Sequence, residues 1–396
     1  MGSELILILV VVTALAFDFT NGFHDTANVV ATSIATGALK PRVAVLMSAV
    51  LNLVGAFISI QVAATIAKGI VDPKVFSGAT GTTGLTLVFA ALIGAIAWNL
   101  ITWYLSLPSS SSHALIGGII GATVVASGWG AVNGTGLLSK VLAPAILSPI
   151  ICLLVAGLGT FCAYRLIRLL GEGEARRGYR VGQIGSAALV SLAHGTNDAQ
   201  KTMGVISLAL IAHGDISSSH FFVPLWVKLG CALAIALGTA IGGWRIINTM
   251  GNRITEIESP QGFAAESASA AVILASSYYG YPLSTTHVVS GGVMGAGLGK
   301  RLASVHWGMA GQMATAWLFT IPAAALMGAA AWEVSRLFGK HSSAGTVVMT
   351  IIAAAAAAAL FKLAQRNRVS ASNLDRTNVT PETGARRRGD PSPVAT

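Results

Sequence analysis

Two hydroxyl-rich stretches hold the residues best suited to chemistry. Pro108-Ser109-Ser110-Ser111-Ser112-His113 is followed, nearly half the chain later, by Pro282-Leu283-Ser284-Thr285-Thr286-His287, and each leads into paired glycines, Gly117-Gly118 and Gly291-Gly292. A hydroxyl at the start of a helix is an ordinary N-cap, but a cap needs one side chain, and both copies offer three in a row. The first turn of a helix has backbone N–H groups without intrahelical partners and the positive end of the helix dipole. With Ser110, Ser111, Ser112, Ser284, Thr285 and Thr286 beside them, two such starts supply donors for an oxyanion without an arginine. If the two halves are inverted copies, the helix starts face each other and bracket a tetrahedral anion.

A second pair of motifs repeats at the same offset to within one position. Gly22 and Asp25 in GFHDTAN (22–28) match Gly195 and Asp198 in HGTNDAQK (194–201). Asp18, His24 and Asp25 interrupt an apolar stretch that resumes at Val29. A charge at the bilayer centre costs about 2.5–3.5 kcal/mol on insertion scales, so these side chains need protein or water around them. We expect the span to be interrupted there, with the break at Gly22. Asn99, in another apolar run, is expected to bond a neighbouring helix.

The elements that must position these groups are helices in lipid. The chain has 396 residues, 54% hydrophobic and only 10% charged, and its mean hydropathy is +0.71. Apolar runs of about 20 residues span a bilayer, and Val43–Ala67, Leu85–Leu105, Leu137–Tyr164, Phe221–Gly243, Met309–Trp332 and Val347–Leu363 qualify or nearly do. Leu5–Phe17 lacks a basic start and a cleavage site, and reads as a span rather than a signal peptide. Ala114–Ala126 and Val288–Gly297 are too short to cross, which predicts two re-entrant helical hairpins with the hydroxyl rows at their buried tips. The fold expected is an all-α polytopic membrane protein of about ten to twelve helical elements, built as two inverted repeats with broken helices. The first repeat covers 1–165, a basic linker 166–180, the second repeat 181–365, and a disordered tail 366–396.

Net charge is +10, yet the basic residues sit in the linker and the tail rather than on one soluble face, so nucleic acid is not an expected partner. By the positive-inside rule the linker and the loop at Lys40 and Arg42 are cytoplasmic. Cys152, Cys162 and Cys231 show no metal or redox spacing and read as small core residues. Two other chemistries compete for the polar motifs. His24, His113, His194, His287, Asp25 and Asp198 could form a metal site, but we recognise no ligand spacing among them and expect no metal and no cofactor. An intramembrane Ser/His hydrolase needs one nucleophile with a positioned base, not matched rows of hydroxyls, so the chain does not read as an enzyme.

GFHDTAN, HGTNDAQK, LPSSSSHALIGG (107–118) and YPLSTTHVVSGG (281–292) resemble the paired signatures of the inorganic phosphate transporter family, in order over nearly all of residues 14–365. The resemblance implies a commonly homodimeric plasma-membrane protein that imports phosphate by symport. It assigns phosphate contact to the hairpin hydroxyls and cation coupling to the Asp motifs, with Asp25, Asn28, Asn197 and Asp198 as their members. Sodium-coupled members resemble N-D-x-x-N in both copies, whereas this chain has His24-Asp25-Thr26-Ala27-Asn28 and Asn197-Asp198-Ala199-Gln200-Lys201. An ammonium has three donors and no acceptor, so Lys201 cannot ligate Na⁺ and can instead neutralise Asp198 as a tethered cation. This predicts proton coupling, as in the bacterial low-affinity branch, with phosphate carried as such or as a neutral metal–phosphate complex. Sodium symport and sulfate transport are the alternatives; phosphate keeps a proton at neutral pH that a carboxylate can accept, and sulfate does not. Asp25 is the first candidate proton carrier, then Glu266, with His113 and His287 either titrating or fixing the hairpins; Asp18 is a further candidate unless it lies at the membrane surface.

Overall fold

In the computed structural model, residues 2–71, 75, 81–217, 219–300, 305–339, 343–366 and 369–374 are described, and among them the regular elements are all helical. Two long helices carry the Asp motifs, α1 (Gly2–Ala35) and a later partner across Glu172–His213. They run antiparallel. Arg180, near the start of the second, donates to the Gly37 carbonyl just past the end of α1 (2.8 Å), while His213 at its far end lies 3.6 Å from Glu4.

Both helices continue through their polar motifs, so the break expected at Gly22 is not there. The polar side chains find partners on neighbouring elements, and the backbone need not unwind to satisfy them. The glycines serve close crossings instead. A Cβ on Gly22 would strike the Ile235 carbonyl, and one on Gly195 the Asn52 carbonyl. Conversely, Gly238 presses on the Phe19 carbonyl and Gly55 on the Leu192 carbonyl. Phe19 and Leu192 stand at matching positions of the two Asp-motif helices, each three residues before the motif glycine, so each crossing maps onto the other when the halves are exchanged.

The apolar run Val43–Ala67 is not one span either. It divides into α2 (Pro41–Gly55) and α3 (Gln61–Lys68), with the turn just after the Gly55 crossing. The hairpin of the first half is α4 (Gly81–Tyr104) and α5 (Ser111–Ser127). After a turn at 128–133, helical backbone from Gly134 runs through a π-helical stretch (Leu138–Leu142) into α6 (Ala143–Leu170), and α7 (Glu172–His213) follows. The expected basic loop is therefore helix on both sides of Gly171, whose φ of +93° makes the turn with little strain for a residue lacking Cβ. Its Arg- and Glu-rich sequence holds good helix formers, which is why it does not stay irregular.

In the second half, α8 (Leu225–Ile241) and α9 (Trp244–Asn252) meet at a 69° bend. This is the bent span in the described structure, away from the Asp motifs. The second hairpin is α10 (Ser259–Tyr278) and α11 (Thr285–Lys300), followed by α12 (Trp307–Arg336) and α13 (Ser343–Gln365). Each hairpin rests on the other half. Gly117 and Gly121 of α5 lie against the carbonyls of Ile321 and Ala325 on α12, and Gly291 and Gly295 of α11 lie against those of Pro149 and Leu153 on α6.

Among the described residues, five helices are long and apolar enough to cross a membrane, or six with the bent pair. The remaining elements are shorter or, like α7, carry too many polar groups in midspan. Cys152 and Cys231 are buried, but Cys162 is exposed on the outer face of α6, not in the core. Most of the tail, residues 375–396, lies outside the described residues.

Candidate functional site

The two hairpin tips meet directly, and their contacts are reciprocal. Ser112 donates to the Leu283 carbonyl (3.0 Å) and Thr286 to the Ser109 carbonyl (2.9 Å). Exchanging the two repeats turns one contact into the other, because Ser112 matches Thr286 and Ser109 matches Leu283. Ser110 and Ser284 act as the N-caps, accepting from the backbone N–H of His113 (3.1 Å) and His287 (3.3 Å). That leaves Ser111, Ser112, Thr285 and Thr286 as the hydroxyls turned to other partners. The rings of His113 and His287 stand 4.7 Å apart behind the tips. His287 also stacks on Trp317, and its Nδ1 lies 3.4 Å from the Ala145 carbonyl. These histidines brace the hairpins.

The Asp motifs of α1 and α7 close on the tips. Ser111 donates to Asp25 (3.3 Å), and Thr285 lies within reach of both Asp25 (3.4 Å) and Asp198 (3.3 Å). Asn28 donates to Thr286 (3.0 Å), and at the corresponding position Lys201 donates to Ser112 (2.5 Å). The ammonium also reaches Asp198 (2.6 Å) and the Leu283 carbonyl (2.7 Å), which uses all three of its protons. Lys201 is only 1% exposed, so it is a buried ion-pair partner and not a side chain stretching to the membrane surface.

His24 Nδ1 sits 2.8 Å from Asp25, and its Nε2 is 3.2 Å from Thr102. Thr102 in turn receives Ser109 (2.7 Å), linking α4 to the first tip. His194 lies 3.3 Å from Asp198 and its Nδ1 is 3.1 Å from Asn52. His194 and Asp198 are one helical turn apart on one face, a spacing the sequence reading overlooked. Asp25, His194 and Asp198 bring one donor atom each within 4.8 Å of one another. Two carboxylates and an imidazole can serve a cation, and the Lys201 ammonium already stands in that role at Asp198.

Three sequence candidates lie off this centre. Asn197 points to the base of the second hairpin, donating to Ser277 (2.9 Å) and the Tyr281 carbonyl (3.2 Å). Glu266 accepts from Thr32 (2.5 Å), Ser186 (2.6 Å) and Gln183 (3.3 Å), forming its own buried cluster. Asn99, expected to bond a neighbouring helix, is buried with neither side-chain atom paired. Thr102, Asn52, Asn21, Thr32 and Gln183 were missed. Asn21 carried a signal, since it matches His194 at the repeat offset; Thr32 and Gln183 lie on the Asp-motif helices but outside the repeated motifs, and Thr102 and Asn52 lie on helices without one.

Chemically, the jaws are closed on protein acceptors. The hydroxyls that would hold an oxyanion now donate to Asp25, Asp198 and backbone carbonyls. Asp25 and Asp198 share this centre with a single ammonium, that of Lys201.

The comparisons agree with this geometry. The model of the phosphate transporter family matches residues 21–328. A probable low-affinity inorganic phosphate transporter of Mycobacterium bovis is 57% identical over 339 residues, 86% of this chain and 80% of its own. One of the same description from Bacillus subtilis is 46% identical over 83% of this chain and 97% of its own. Among solved structures, a sodium-dependent phosphate transporter superposes with a TM-score of 0.75 at 25% identity, covering 84% of this chain and 99% of that one. Reciprocal hydroxyl jaws in a helical, multi-pass plasma-membrane protein, together with these matches, make the chain a member of the phosphate transporter family, a transporter and not an enzyme.

Proposed function

We propose that this phosphate transporter imports inorganic phosphate with low affinity by proton symport, binding the anion between Ser111, Ser112, Thr285 and Thr286. The observation that carries the proton is Lys201. The sodium-dependent structural neighbour argues for Na⁺, but here an ammonium with every proton engaged takes the position matching Asn28. It offers no oxygen to Na⁺ and repels it.

Coupling then follows from shared donors. Ser111 and Thr285 donate to Asp25 and Asp198 in the closed state. A proton on Asp25 weakens its claim on these hydroxyls and removes one negative charge, so proton and phosphate favour each other's binding by the same free energy. His24, hydrogen-bonded to Asp25, is placed to pass that proton on. A divalent metal arriving with phosphate would be cargo, lowering the anion's charge in the same way.

The antiparallel course of α1 and α7, whose Asp motifs match position for position, supports inverted repeats. Orientation follows from the positive-inside rule, with the face bearing Arg180, Arg176 and Lys40 in the cytoplasm.

Labelled phosphate uptake into proteoliposomes, with pH and Na⁺ gradients imposed separately, tests this reading. Accumulation should follow an inward proton gradient. Accumulation that follows Na⁺ and ignores pH would refute it.

A further inference from the structure

One buried acid is not used by the mechanism above. Asp18 lies on α1 two turns before Asp25, about 10 Å along the helix, and is 0% exposed. Neither carboxylate oxygen receives a hydrogen bond. Two neighbours with polar side chains stand beside it, Asn21 on the same helix and Thr202 on α7. Both are unsatisfied in complementary ways. The Asn21 amide is oriented by its Nδ2 toward Asp198 (3.5 Å), which leaves Oδ1 without a donor. Thr202 Oγ1 faces Asp18 but makes no hydrogen bond of ordinary length and angle.

A buried unpaired carboxylate is costly, and each orphaned polar atom adds to that cost. One proton resolves the cluster. A protonated carboxyl has an O–H that Asn21 Oδ1 can accept, and its remaining oxygen can accept the Thr202 hydroxyl. The Thr202 hydroxyl can donate to the carboxylate in either state, so what the proton adds is a donor for Asn21 Oδ1 and the removal of a buried charge. The charged and titratable groups facing Asp18 are Asp198 and Lys201 from α7 and the Cys231 thiol from α8. Lys201 is already committed to Asp198 and Ser112, so it does not neutralise Asp18.

Position makes this more than a packing defect. Asp18, Asn21, Asp25, Asn28 and Thr32 recur at intervals of three and four on one face of α1, forming a continuous polar seam. Its partners are Thr202, Asp198, Ser111, Thr286 and Glu266 in turn. Asp18 is at the end of the seam toward Glu4 and His213, and Glu266 is at the end toward Arg180. At the repeat offset the second half has Ser191 in place of Asp18, so the acid belongs to one half only.

We propose that Asp18, with Asn21 and Thr202, is a second proton-binding site, loading a proton on the side of the jaws away from the basic face. This rests on the proton-symport reading. The proton binds at Asp18 before the anion is enclosed and is carried there with the phosphate, in addition to the one on Asp25.

Proteoliposomes containing a trapped pH dye, challenged with inorganic phosphate, give protons taken up per phosphate; labelled phosphate exchange at equal pH is the second readout. In D18N the ratio should fall by about one proton per phosphate, because an amide binds none, while exchange stays measurable. D18E, which keeps an ionisable group, should recover part of the ratio. A wild-type ratio in D18N overturns the proposal, as does loss of exchange in both D18N and D18E, which would make Asp18 a packing residue. If the wild-type protein takes up no protons with phosphate, proton symport itself fails and this site fails with it.

Discussion

The two Asp motifs are built alike and finished differently. In the first, Asp25 is flanked by His24 and Asn28, and its charge has no committed cation. In the second, Asp198 is held by Lys201 at 2.6 Å and by His194 at 3.3 Å. Both motifs touch the hydroxyl of the opposing tip, Asn28 on Thr286 and Lys201 on Ser112. The difference lies in charge rather than in shape: the tip contacts are symmetric, and the cation beside each Asp is not. On the proton-symport reading, the first would shape the cradle and the second would set which ion fills it.

The harshest way to break the comparison is to remove the tethered cation. Stripping one partner from a buried ion pair typically costs about 3–5 kcal/mol, so K201M should lower the melting temperature sharply and abolish uptake. The K201N/D198N double variant, which removes both charges, should melt well above K201M. Equal melting of K201M and wild type would mean the pair contributes nothing.

A milder test concerns what the halves share. G22A and G195A each push a methyl group into a facing carbonyl, and overpacking costs about 1–3 kcal/mol. Because the crossings are reciprocal, the two losses of stability should agree within experimental error. A large inequality would show that one crossing is loose.

The tips should then separate the halves again. Each variant loses one donation to the opposing carbonyl, but S112A also leaves an ammonium proton unsatisfied, worth about 1.5–3 kcal/mol, whereas T286A also loses a neutral bond from Asn28 worth about 1 kcal/mol. Phosphate KM and thermal melting should both suffer more in S112A. The reverse ranking would contradict the assigned role of Lys201.

The smallest effect lies on the basic face. Glu258 accepts from Lys300 (2.7 Å), Tyr164 (2.8 Å) and Arg176 (3.2 Å). Partial burial alone would raise its pKa, but the donation from Lys300 and Tyr164 outweighs this and holds it below the ordinary 4.5. A depressed carboxylate stabilises the fold above its ordinary pKa and loses that contribution as pH falls through the folded value. Melting should therefore be flat from neutral pH to about pH 5 and decline below, with a shallower acid limb in E258Q. Identical acid limbs would remove Glu258 from the account.

The tip hydroxyls, the matched Asp motifs and the Lys201 pairing were all legible in the sequence, because repetition at one nearly constant offset tied distant positions together. Where repetition was silent, reading failed. Gly22 looked like a break, since a glycine before polar residues in an apolar run fits an unwound turn as well as a crossing. Nothing local distinguishes the two without the Ile235 carbonyl opposite. Glu266 could be ranked, but its partners Thr32, Gln183 and Ser186 come from two other helices and left no pattern. Asp18 was visible as a charge in an apolar run, yet its lack of any partner is a property of packing alone.

Each half's hairpin lies on a helix of the other half, and this bears on how the protein is made. At roughly 5–20 residues per second, α1 enters the bilayer some tens of seconds or less before α7 exists. During that interval Asp18 lacks Thr202 and Asp25 lacks Thr285, and α5 has no α12 to cover its glycine face. Until then the first half carries acids and a glycine face that only the second half covers. Two fragments divided at Gly171 should assemble only when synthesised together.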